Sequence, residues 1–193
     1  EMSNREMQDI YPFLETHDLY GGQWDPLDGD IDPAQLTQAL AKGARDLGTK
    51  IVRFCPVTAV EHVHDEWVIT TPNSAIRAEY VVNAAGYRAA ELGRMFGRDV
   101  PCVSLAHQYL ITEPIAELTA RDAKLPLLRD PDSSYYLRQE KDGLLLGPYE
   151  KNCRAHWVDA SDPMPDDFSF QLYNDDLERL EWYIEDACAR VPL

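Results

Sequence analysis

The sequence predicts a mixed α/β (α+β) fold, in which a partial parallel sheet with an inserted β-meander precedes an antiparallel sheet. Three observations predict it: a helix pattern followed by short strand patterns, an almost wholly apolar run at Tyr80–Asn83, and longer strand patterns beyond Pro101. Such an apolar run is typical of a parallel strand buried on both faces. The change of pattern divides the chain into two predicted parts, residues 1–103 and residues 104–193.

The first predicted element is a helix that begins at Pro33 and ends before Gly48. Asp32 supplies the N-cap, and proline suits the first helical position because it has no N–H to leave unpaired. Apolar side chains recur at helical spacing, at Leu36, Ala39, Leu40, Ala44 and Leu47. The apolar run Ile51–Phe54 then predicts a strand packed beside this helix.

Three strand patterns in close order predict a small meander. They cover Val57–Val63, Trp67–Thr70 and Ala75–Ala78. His64-Asp65-Glu66 is the first connection, and Thr71-Pro72-Asn73-Ser74 is the second, where proline presets its φ and asparagine tolerates a left-handed backbone. The buried parallel strand Tyr80–Asn83 follows this meander.

The second part of the chain predicts an antiparallel sheet between two helices. A short helix covers Ala89–Phe96, and a final helix runs from about Asp175 to Arg190 with Asn174 as its cap. One face of the final helix carries Leu177, Leu180, Ile184 and Cys188. The predicted strands are Ser104–Thr112, Ser134–Glu140 and Gly143–Tyr149. Asp142-Gly143 between the last two is a strong hairpin signal.

Composition narrows the class of protein. Of 193 residues, 45% are hydrophobic and 27% are charged, which is the balance of an ordinary folded domain and not of a disordered chain. The net charge of −16 argues against nucleic acid and anionic membranes as partners, because such a field repels phosphate. No stretch reaches the ~18 apolar residues of a membrane span, and residues 1–6 do not lead into the apolar core that is typical of a signal peptide. A cytoplasmic or mitochondrial matrix location is expected.

Metal binding is not expected. The four cysteines lie far apart and show no ligand spacing, so reduced, inert thiols are predicted at Cys55, Cys102, Cys153 and Cys188. His62 and His64 share one strand face, as metal ligands could. No third ligand accompanies them, and exposed strand-end histidines are the better interpretation.

The turn Asn83-Ala84-Ala85-Gly86 is the first candidate site. Its last three residues lack bulk, so a ligand could approach the backbone closely, and ligands gather at such strand ends. A tight strand-to-helix connection would explain the same residues equally well. The residues alone leave both interpretations open.

Seven short blocks occur in order along the chain. They are Gly29-Asp30-Ile31-Asp32-Pro33, Pro56-Val57-Thr58, Val82-Asn83-Ala84-Ala85-Gly86, His107-Gln108-Tyr109, Leu127-Leu128-Arg129-Asp130, Ser134–Glu140 and Gly143–Glu150. This series resembles the flavoprotein part of the dimethylglycine and sarcosine dehydrogenases, in the D-amino acid oxidase-like superfamily, over roughly residues 10–193. The resemblance implies that residues 1–103 are part of an FAD-binding domain and residues 104–193 part of a substrate-binding lobe.

Several family features are absent from the sequence. The family's FAD domain begins with a GxGxxG loop that holds the pyrophosphate at a helix N-terminus, and this sequence contains no such motif. The segment with the histidine that carries FAD covalently and the folate-binding part are also missing. An internal piece of a longer enzyme is therefore expected. By itself it should be inactive, poorly stable and a weak FAD binder, because the missing strands would cover Tyr80–Asn83.

The resemblance also implies cofactor contacts in the first part of the chain. Val57 would lie at the adenine side of FAD, where its backbone donates and accepts hydrogen bonds. Ala84, Ala85 and Gly86 would line the cofactor.

His107 and Tyr135 resemble family positions that face the substrate near the flavin. Imidazole can accept a proton near neutral pH, and a phenol can hydrogen-bond an amine or a carboxylate. Tyr136 lies on the opposite strand face, so only one tyrosine of the pair should reach the site. For Arg129 and Arg138, surface or ion-pair roles are expected.

The implied reaction is hydride removal from an N-methyl carbon of dimethylglycine to the flavin, which leaves an iminium. Hydrolysis, or capture by tetrahydrofolate in the missing part, would release the demethylated amino acid and a one-carbon unit. Sarcosine is the close rival, because one methyl group gives modest discrimination. Oxygen and an electron-transfer flavoprotein both remain open as acceptors. Another amine or amino-acid oxidase, or a non-catalytic binding remnant, is the alternative.

Overall fold

The computed structural model describes residues 1–158, 161–169 and 171–193, which divide into two compact units. Unit 1 comprises residues 1–30, 106–154 and 165–193, and unit 2 comprises residues 31–105 and 155–164. The long segment of unit 2 ends at Leu105, and unit 1 resumes at Ala106. The grouping of residues 1–30 with the second half of the chain was not expected from the sequence.

Helices and strands are both present in the described residues. The helices are α1 (Asn4–Ile10), α2 (Pro33–Asp46), α3 (Ala89–Met95), α4 (Ala116–Thr119) and α5 (Glu181–Arg190). The strands are β1 (Ala59–Val63), β2 (Glu66–Thr70), β3 (Ala75–Ala78), β4 (Ser104–Ala106), β5 (Leu110–Ile111), β6 (Leu128–Asp130), β7 (Tyr135–Glu140), β8 (Gly143–Pro148) and β9 (Arg154–His156). They form a three-stranded sheet β1-β2-β3, a pair β4-β9 and a four-stranded sheet β5-β8-β7-β6.

The helix predicted after Asp32 is confirmed as α2. The Asp32 carboxylate accepts hydrogen bonds from the N–H groups of Ala34 at 2.8 Å and Gln35 at 3.0 Å, with Pro33 in the first turn. Gly48, just past the helix, has a φ of 92°, which side chains rarely adopt. Local capping therefore determines both ends of this helix.

The predicted meander is also confirmed, as the antiparallel sheet β1-β2-β3. His64 and Asp65 form the first turn with φ values of 49° and 63°, the conformation that a two-residue hairpin requires. In the second connection, the Thr71 N–H and hydroxyl both donate to the Ser74 carbonyl, at 2.9 and 2.8 Å. The first strand begins at Ala59, so Val57 precedes it.

Two predicted strands do not form. Ile51–Phe54 and Tyr80–Asn83 have no strand structure, and their side chains are exposed, with Phe54 at 90% and Tyr80 at 86%. No strand of the described residues pairs with either segment, so their backbone groups are left to water. The prediction of a strand beside α2 and of a buried strand before Ala84 is wrong for this chain, because a strand needs a partner that these residues do not supply.

In unit 1, the hairpin β7-β8 confirms the predicted antiparallel sheet. Glu140 pairs with Gly143, so Lys141 and Asp142 make the turn, and Lys141 has a φ of 54°. The long strand predicted over Ser104–Thr112 is instead two strands, β4 and β5, separated by His107-Gln108-Tyr109.

One face of the four-stranded sheet packs into the core of unit 1. Alternate residues of β7 and β8 contribute to this face, together with side chains from the N-terminal segment, α4 and α5. The buried members are Tyr11, Leu14, Leu118, Leu125, Tyr135, Leu137, Leu144, Leu146, Tyr183, Ala187 and Val191. Each large apolar side chain in such a core stabilises the fold by about 1.5–3 kcal/mol relative to its exposure to water.

The C-terminal helix differs from its prediction in its start and in its buried face. A 3₁₀ turn occupies Leu177–Arg179, and α5 begins at Glu181 without a side-chain cap, so Asn174 is not the N-cap. The tighter turn changes the phase of the helix that follows. Of the predicted face, Leu180 is buried and Ile184 packs against the core, whereas Leu177 and Cys188 are exposed and Tyr183 and Ala187 are buried in their place.

Arg190, the last residue of α5, joins this helix to two distant segments of unit 1. Its guanidinium donates to both carboxylate oxygens of Asp18, at 2.6 and 3.0 Å, and to the Glu15 carbonyl at 2.8 Å. Its Nε donates to the Asp130 carboxylate at 3.3 Å. The Glu15 N–H donates to the Arg190 carbonyl at 2.9 Å. We call these contacts the Arg190 clamp.

The Arg190 clamp predicts a pH dependence. The hydrogen bond from Arg190 lowers the pKa of Asp18 from 3.8 to about 2, so its stabilisation is complete above about pH 4 and is lost as the pH falls through 2. We expect Asp18→Asn to lower the free energy of unfolding near neutral pH, and the difference from wild type to shrink between pH 4 and pH 2. Urea unfolding at each pH measures this.

Asp9→Asn, on the exposed side of α1, is the matched control and should leave the stability profile unchanged. A difference between Asp18→Asn and wild type that stays constant from pH 6 to pH 2 would contradict the role given to the carboxylate charge.

Gly147 provides a second prediction for unit 1. A Cβ on Gly147 would overlap Cζ of Tyr136, whose ring lies across the glycine. Gly147→Ala should therefore lower the free energy of unfolding by about 1–3 kcal/mol through overpacking. Urea denaturation measures it. Gly29→Ala, with no atom within 4 Å of the added Cβ, is the control and should change stability by less than about 0.5 kcal/mol.

Candidate functional site

The turn Asn83–Gly86 in unit 2 is held by the Asn83 side chain. Its Nδ2 donates to the Ala89 carbonyl at 2.9 Å, and its Oδ1 accepts the Ala85 N–H at 3.2 Å. Gly86 has a φ of 57° and begins a 3₁₀ turn that leads into α3. The turn leads into a helix, as a strand-to-helix connection would, but no strand precedes it.

The same turn has room for a ligand. Ala84 and Gly86 are exposed, Ala85 is half-buried, and a Cβ at Gly86 would meet no atom within 4 Å. A flat or phosphate-bearing group can therefore approach this backbone. Val57, half-buried just before β1, lies in the same unit, so all four predicted FAD contacts belong to unit 2. The residues present fit a cofactor's edge, although the loop that would hold its pyrophosphate is not among them.

In unit 1, His107 lies in the break between β4 and β5. Its side chain is 46% exposed, and Nδ1 is 4.0 Å from Oε1 of Glu150. That same oxygen accepts the N–H of Gln108 at 2.9 Å. His107 is thus a reachable imidazole on an anchored loop.

Tyr135 and Tyr136 lie on opposite faces of β7, as predicted. Tyr135 is fully buried in the core, and burial, followed by the charge of Asp130, raises the pKa of its phenol. The Arg190 guanidinium is near enough to act on that pKa, but the Tyr135 hydroxyl has no hydrogen-bond partner of acceptable geometry among the described residues. Tyr136 is half-buried beside Tyr149, with ring centroids 5.8 Å apart. The substrate contact of Tyr135 stays a prediction.

The two arginines near the predicted site form ion pairs, as expected. Arg138 lies 2.9 Å from the carboxylate of Glu140, and Arg129 lies 3.3 Å from that of Asp28. The His62 ring packs edge-on against the Trp67 ring, with the ring centroids 4.7 Å apart. The described residues contain no group of three potential metal ligands, and none of their helices is long and apolar enough to cross a membrane.

Sequence reasoning missed a cavity of about 670 Å³ in unit 1. Its walls include Met7, Tyr11 and Trp24 from the N-terminal segment, with Leu128 from β6 and Arg190 from α5. Burial raises the pKa of Tyr11 to about 12. No sequence pattern could have predicted this cavity, because its lining comes from three separate stretches of the chain.

Sequence reasoning also missed Glu150, whose side chain is 3% exposed. A carboxylate is rarely buried without a partner, and Arg179 Nη1 lies 3.2 Å from its Oε2. The only sequence signal was its place at the end of the block Gly143–Glu150, directly after an apolar strand.

The chain is similar to known FAD-dependent oxidoreductases in sequence. The family described as "DAO: FAD dependent oxidoreductase" matches residues 1–193. The chain is 41% identical over 193 residues to the mitochondrial dimethylglycine dehydrogenase of Rattus norvegicus, covering 97% of this chain and 22% of that protein. It is 36% identical over 198 residues to the mitochondrial sarcosine dehydrogenase of Homo sapiens, covering 100% of this chain and 21% of that protein. The chain thus spans about a fifth of the length of these curated relatives.

One solved structure has a fold similar to that of this chain. L-proline dehydrogenase from P. horikoshii superposes with a TM-score of 0.76 at 23% sequence identity, covering 99% of this chain and 47% of that chain. At this identity the likeness concerns the mixed helix-and-sheet fold alone.

The geometry of the Asn83 turn generates a prediction. Asn83→Ala removes both hydrogen bonds that hold the turn, so amide hydrogen exchange over residues 84–89 should accelerate. Mass spectrometry of the exchanged peptides measures this. Asn73→Ala, in the exposed second connection of the meander, is the control and should leave residues 84–89 unchanged. Equal exchange in both variants would show that the Asn83 side chain does not hold the turn.

Proposed function

The chain belongs to the FAD dependent oxidoreductase family, and we propose that it is part of a longer flavoprotein that oxidises N-methyl amino acids, with dimethylglycine as the substrate. The carrying observation is the 41% identity to a dimethylglycine dehydrogenase over 97% of the chain. The 36% identity to a sarcosine dehydrogenase supports the same substrate class. Sarcosine is the alternative substrate, because the two amines differ by one methyl group.

In this proposal, Val57, Ala84, Ala85 and Gly86 contact FAD. The open space beside Gly86 and the exposed small side chains support it. Tyr80–Asn83 would join the parallel sheet of a complete FAD-binding domain, whose other strands lie outside this chain. When bound, the flavin would supply the redox chemistry by accepting a hydride. Tetrahydrofolate would be used by a further part of the longer protein.

His107 is the proposed proton-handling group on the substrate side. Its imidazole is accessible on the β4–β5 break, where it can hold the proton of the substrate amine and keep the nitrogen unprotonated for oxidation. Tyr135 is the second proposed residue, as a hydrogen-bond donor to the amine or carboxylate. Because its ring lies in the core, that contact requires the ring to turn outward. Tyr136, on the other strand face, is the alternative.

The names of the relatives and the net charge of the chain bear on its proposed location and on substrate binding. Both relatives carry "mitochondrial" in their names, which supports a mitochondrial matrix location over a cytoplasmic one. The electron acceptor would be oxygen or an electron-transfer flavoprotein. The net charge of −16 means that local basic groups must offset repulsion of the substrate carboxylate.

The test uses the full-length flavoprotein that contains this chain. Dimethylglycine should bleach its flavin absorbance anaerobically, and His107→Gln should slow this reduction by about 10²-fold or more through loss of the proton acceptor. His64→Gln, in the exposed hairpin turn, is the matched control and should reduce at the wild-type rate. Stopped-flow absorbance measures all three proteins.

Each outcome has a distinct meaning. Bound FAD that ignores both dimethylglycine and sarcosine would move the substrate elsewhere in the family. A full-length protein without an upstream GxGxxG loop and without FAD would favour a non-catalytic binding remnant. Reduction at an unchanged rate in His107→Gln would remove His107 from the reaction and leave the substrate class standing.

A further inference from the structure

Glu150 is a buried carboxylate that the proposed reaction does not yet use. It follows β8, and both of its oxygens have partners from distant segments of unit 1. Oε1 accepts the N–H of Gln108 at 2.9 Å, and Oε2 lies 3.2 Å from Nη1 of Arg179. Nδ1 of His107 is 4.0 Å from Oε1. Glu150 therefore contacts the backbone immediately after His107 and also faces the imidazole itself.

The Gln108 side chain holds the same loop from the other side. Its Nε2 donates to the Asp176 carbonyl at 3.1 Å, and its Oε1 accepts the Asp176 N–H at 2.9 Å. The Asp176 carboxylate is 2.9 Å from Nε of Arg179 and 3.4 Å from Nη2 of Arg154. The side-chain amide of Gln108 thus bonds the backbone of Asp176 as a neighbouring strand would, through both its nitrogen and its oxygen.

The partly buried guanidinium of Arg179 offsets the charge of Glu150, which allows this carboxylate to be buried, whereas the exposed Arg154 pairs with Asp176. Two carboxylates, of Glu150 and Asp176, face two guanidiniums, of Arg154 and Arg179. A buried ion pair of this kind gives little net stability, because desolvation offsets the attraction. Such a network is better explained by a need for a defined geometry than by stability alone.

We propose that Glu150 is a positioning residue for His107, an inference that rests on the proposed function, in which His107 faces the substrate. The break between β4 and β5 leaves His107 outside both strands, and Glu150 anchors the next peptide N–H in the core. Nδ1 is the ring nitrogen that lies 4.0 Å from the carboxylate, so in this proposal Nε2 is the nitrogen that meets the substrate amine. A displacement of about 1 Å in such a group can slow a reaction by ~10²-fold.

The first measurement is flavin reduction by dimethylglycine in the full-length flavoprotein. Glu150→Leu removes the acceptor of the Gln108 N–H and should slow reduction by about tenfold, with a smaller change in substrate affinity. Glu150→Gln keeps an acceptor oxygen and should restore most of the rate. In the His107→Gln background, Glu150→Leu should change the rate by less than about twofold, because its effect passes through His107.

The second measurement does not depend on activity. Hydrogen exchange of the peptide that contains Gln108 should accelerate in Glu150→Leu and return to the wild-type rate in Glu150→Gln. Glu140→Leu is the matched control, since that glutamate is on β7, is partly exposed and pairs with Arg138. It should leave this peptide and the reduction rate unchanged.

If Glu150→Leu fails to fold, Glu150→Leu/Arg179→Met provides a second test, because it removes the buried carboxylate together with its partly buried partner and leaves no unpaired Arg179. Compared with Arg179→Met, it should show the same tenfold slowing and the same faster exchange at Gln108.

The outcomes separate the two proposals. Equal slowing by Glu150→Leu with and without His107, or unchanged exchange at Gln108, would overturn the role of Glu150 even if dimethylglycine reduces the flavin. A wild-type protein that no N-methyl amino acid reduces would instead overturn the proposed function. In that case the exchange measurement still decides whether Glu150 anchors the His107 loop.

Discussion

The Arg190 clamp is the constraint on which unit 1 depends. A single guanidinium ties the end of α5 to Asp18, 172 residues earlier in the chain, and to Asp130 beside β7. Asp130 in turn accepts the Ser133 N–H at 3.0 Å and so shapes the turn between β6 and β7. Because the clamp holds the N-terminal segment against the sheet, Tyr11 and Leu14 can enter the same core as Tyr183. The stabilisation that these apolar side chains provide therefore depends on the Arg190 clamp at the edge of the core.

In unit 1, the residues that stabilise the core and the residues that anchor the His107 loop lie in different places. One face of the four-stranded sheet buries Tyr135 and Leu137 and contributes stability, whereas the residues that follow β8 carry the buried carboxylate of Glu150. The Glu150 and Arg190 contacts share a design in which a charged side chain from one segment satisfies backbone groups of another. Burying a charge costs free energy, but each of these contacts fixes the position of a loop.

The elements that the sequence predicted well are those with local causes. The caps of α2, the His64-Asp65 turn and the β7-β8 hairpin each depend on residues within a few positions of one another. Tyr80–Asn83 has the composition of a buried strand, but a strand forms only where a partner is available, and composition does not report one. At the site, resemblance predicted His107, whereas Glu150 could not be found, because its partners Gln108 and Arg179 lie far away in sequence.

The division of the chain has a consequence for its synthesis. Residues 31–105 of unit 2 interrupt unit 1, whose N-terminal residues meet Arg190 near the other end of the chain. On the ribosome, the meander and α2 are complete while the first thirty residues still lack the helix that holds them. Unit 1 can close only after α5 has emerged, so its N-terminal segment waits through the translation of about 160 further residues with apolar side chains that are exposed and prone to aggregation.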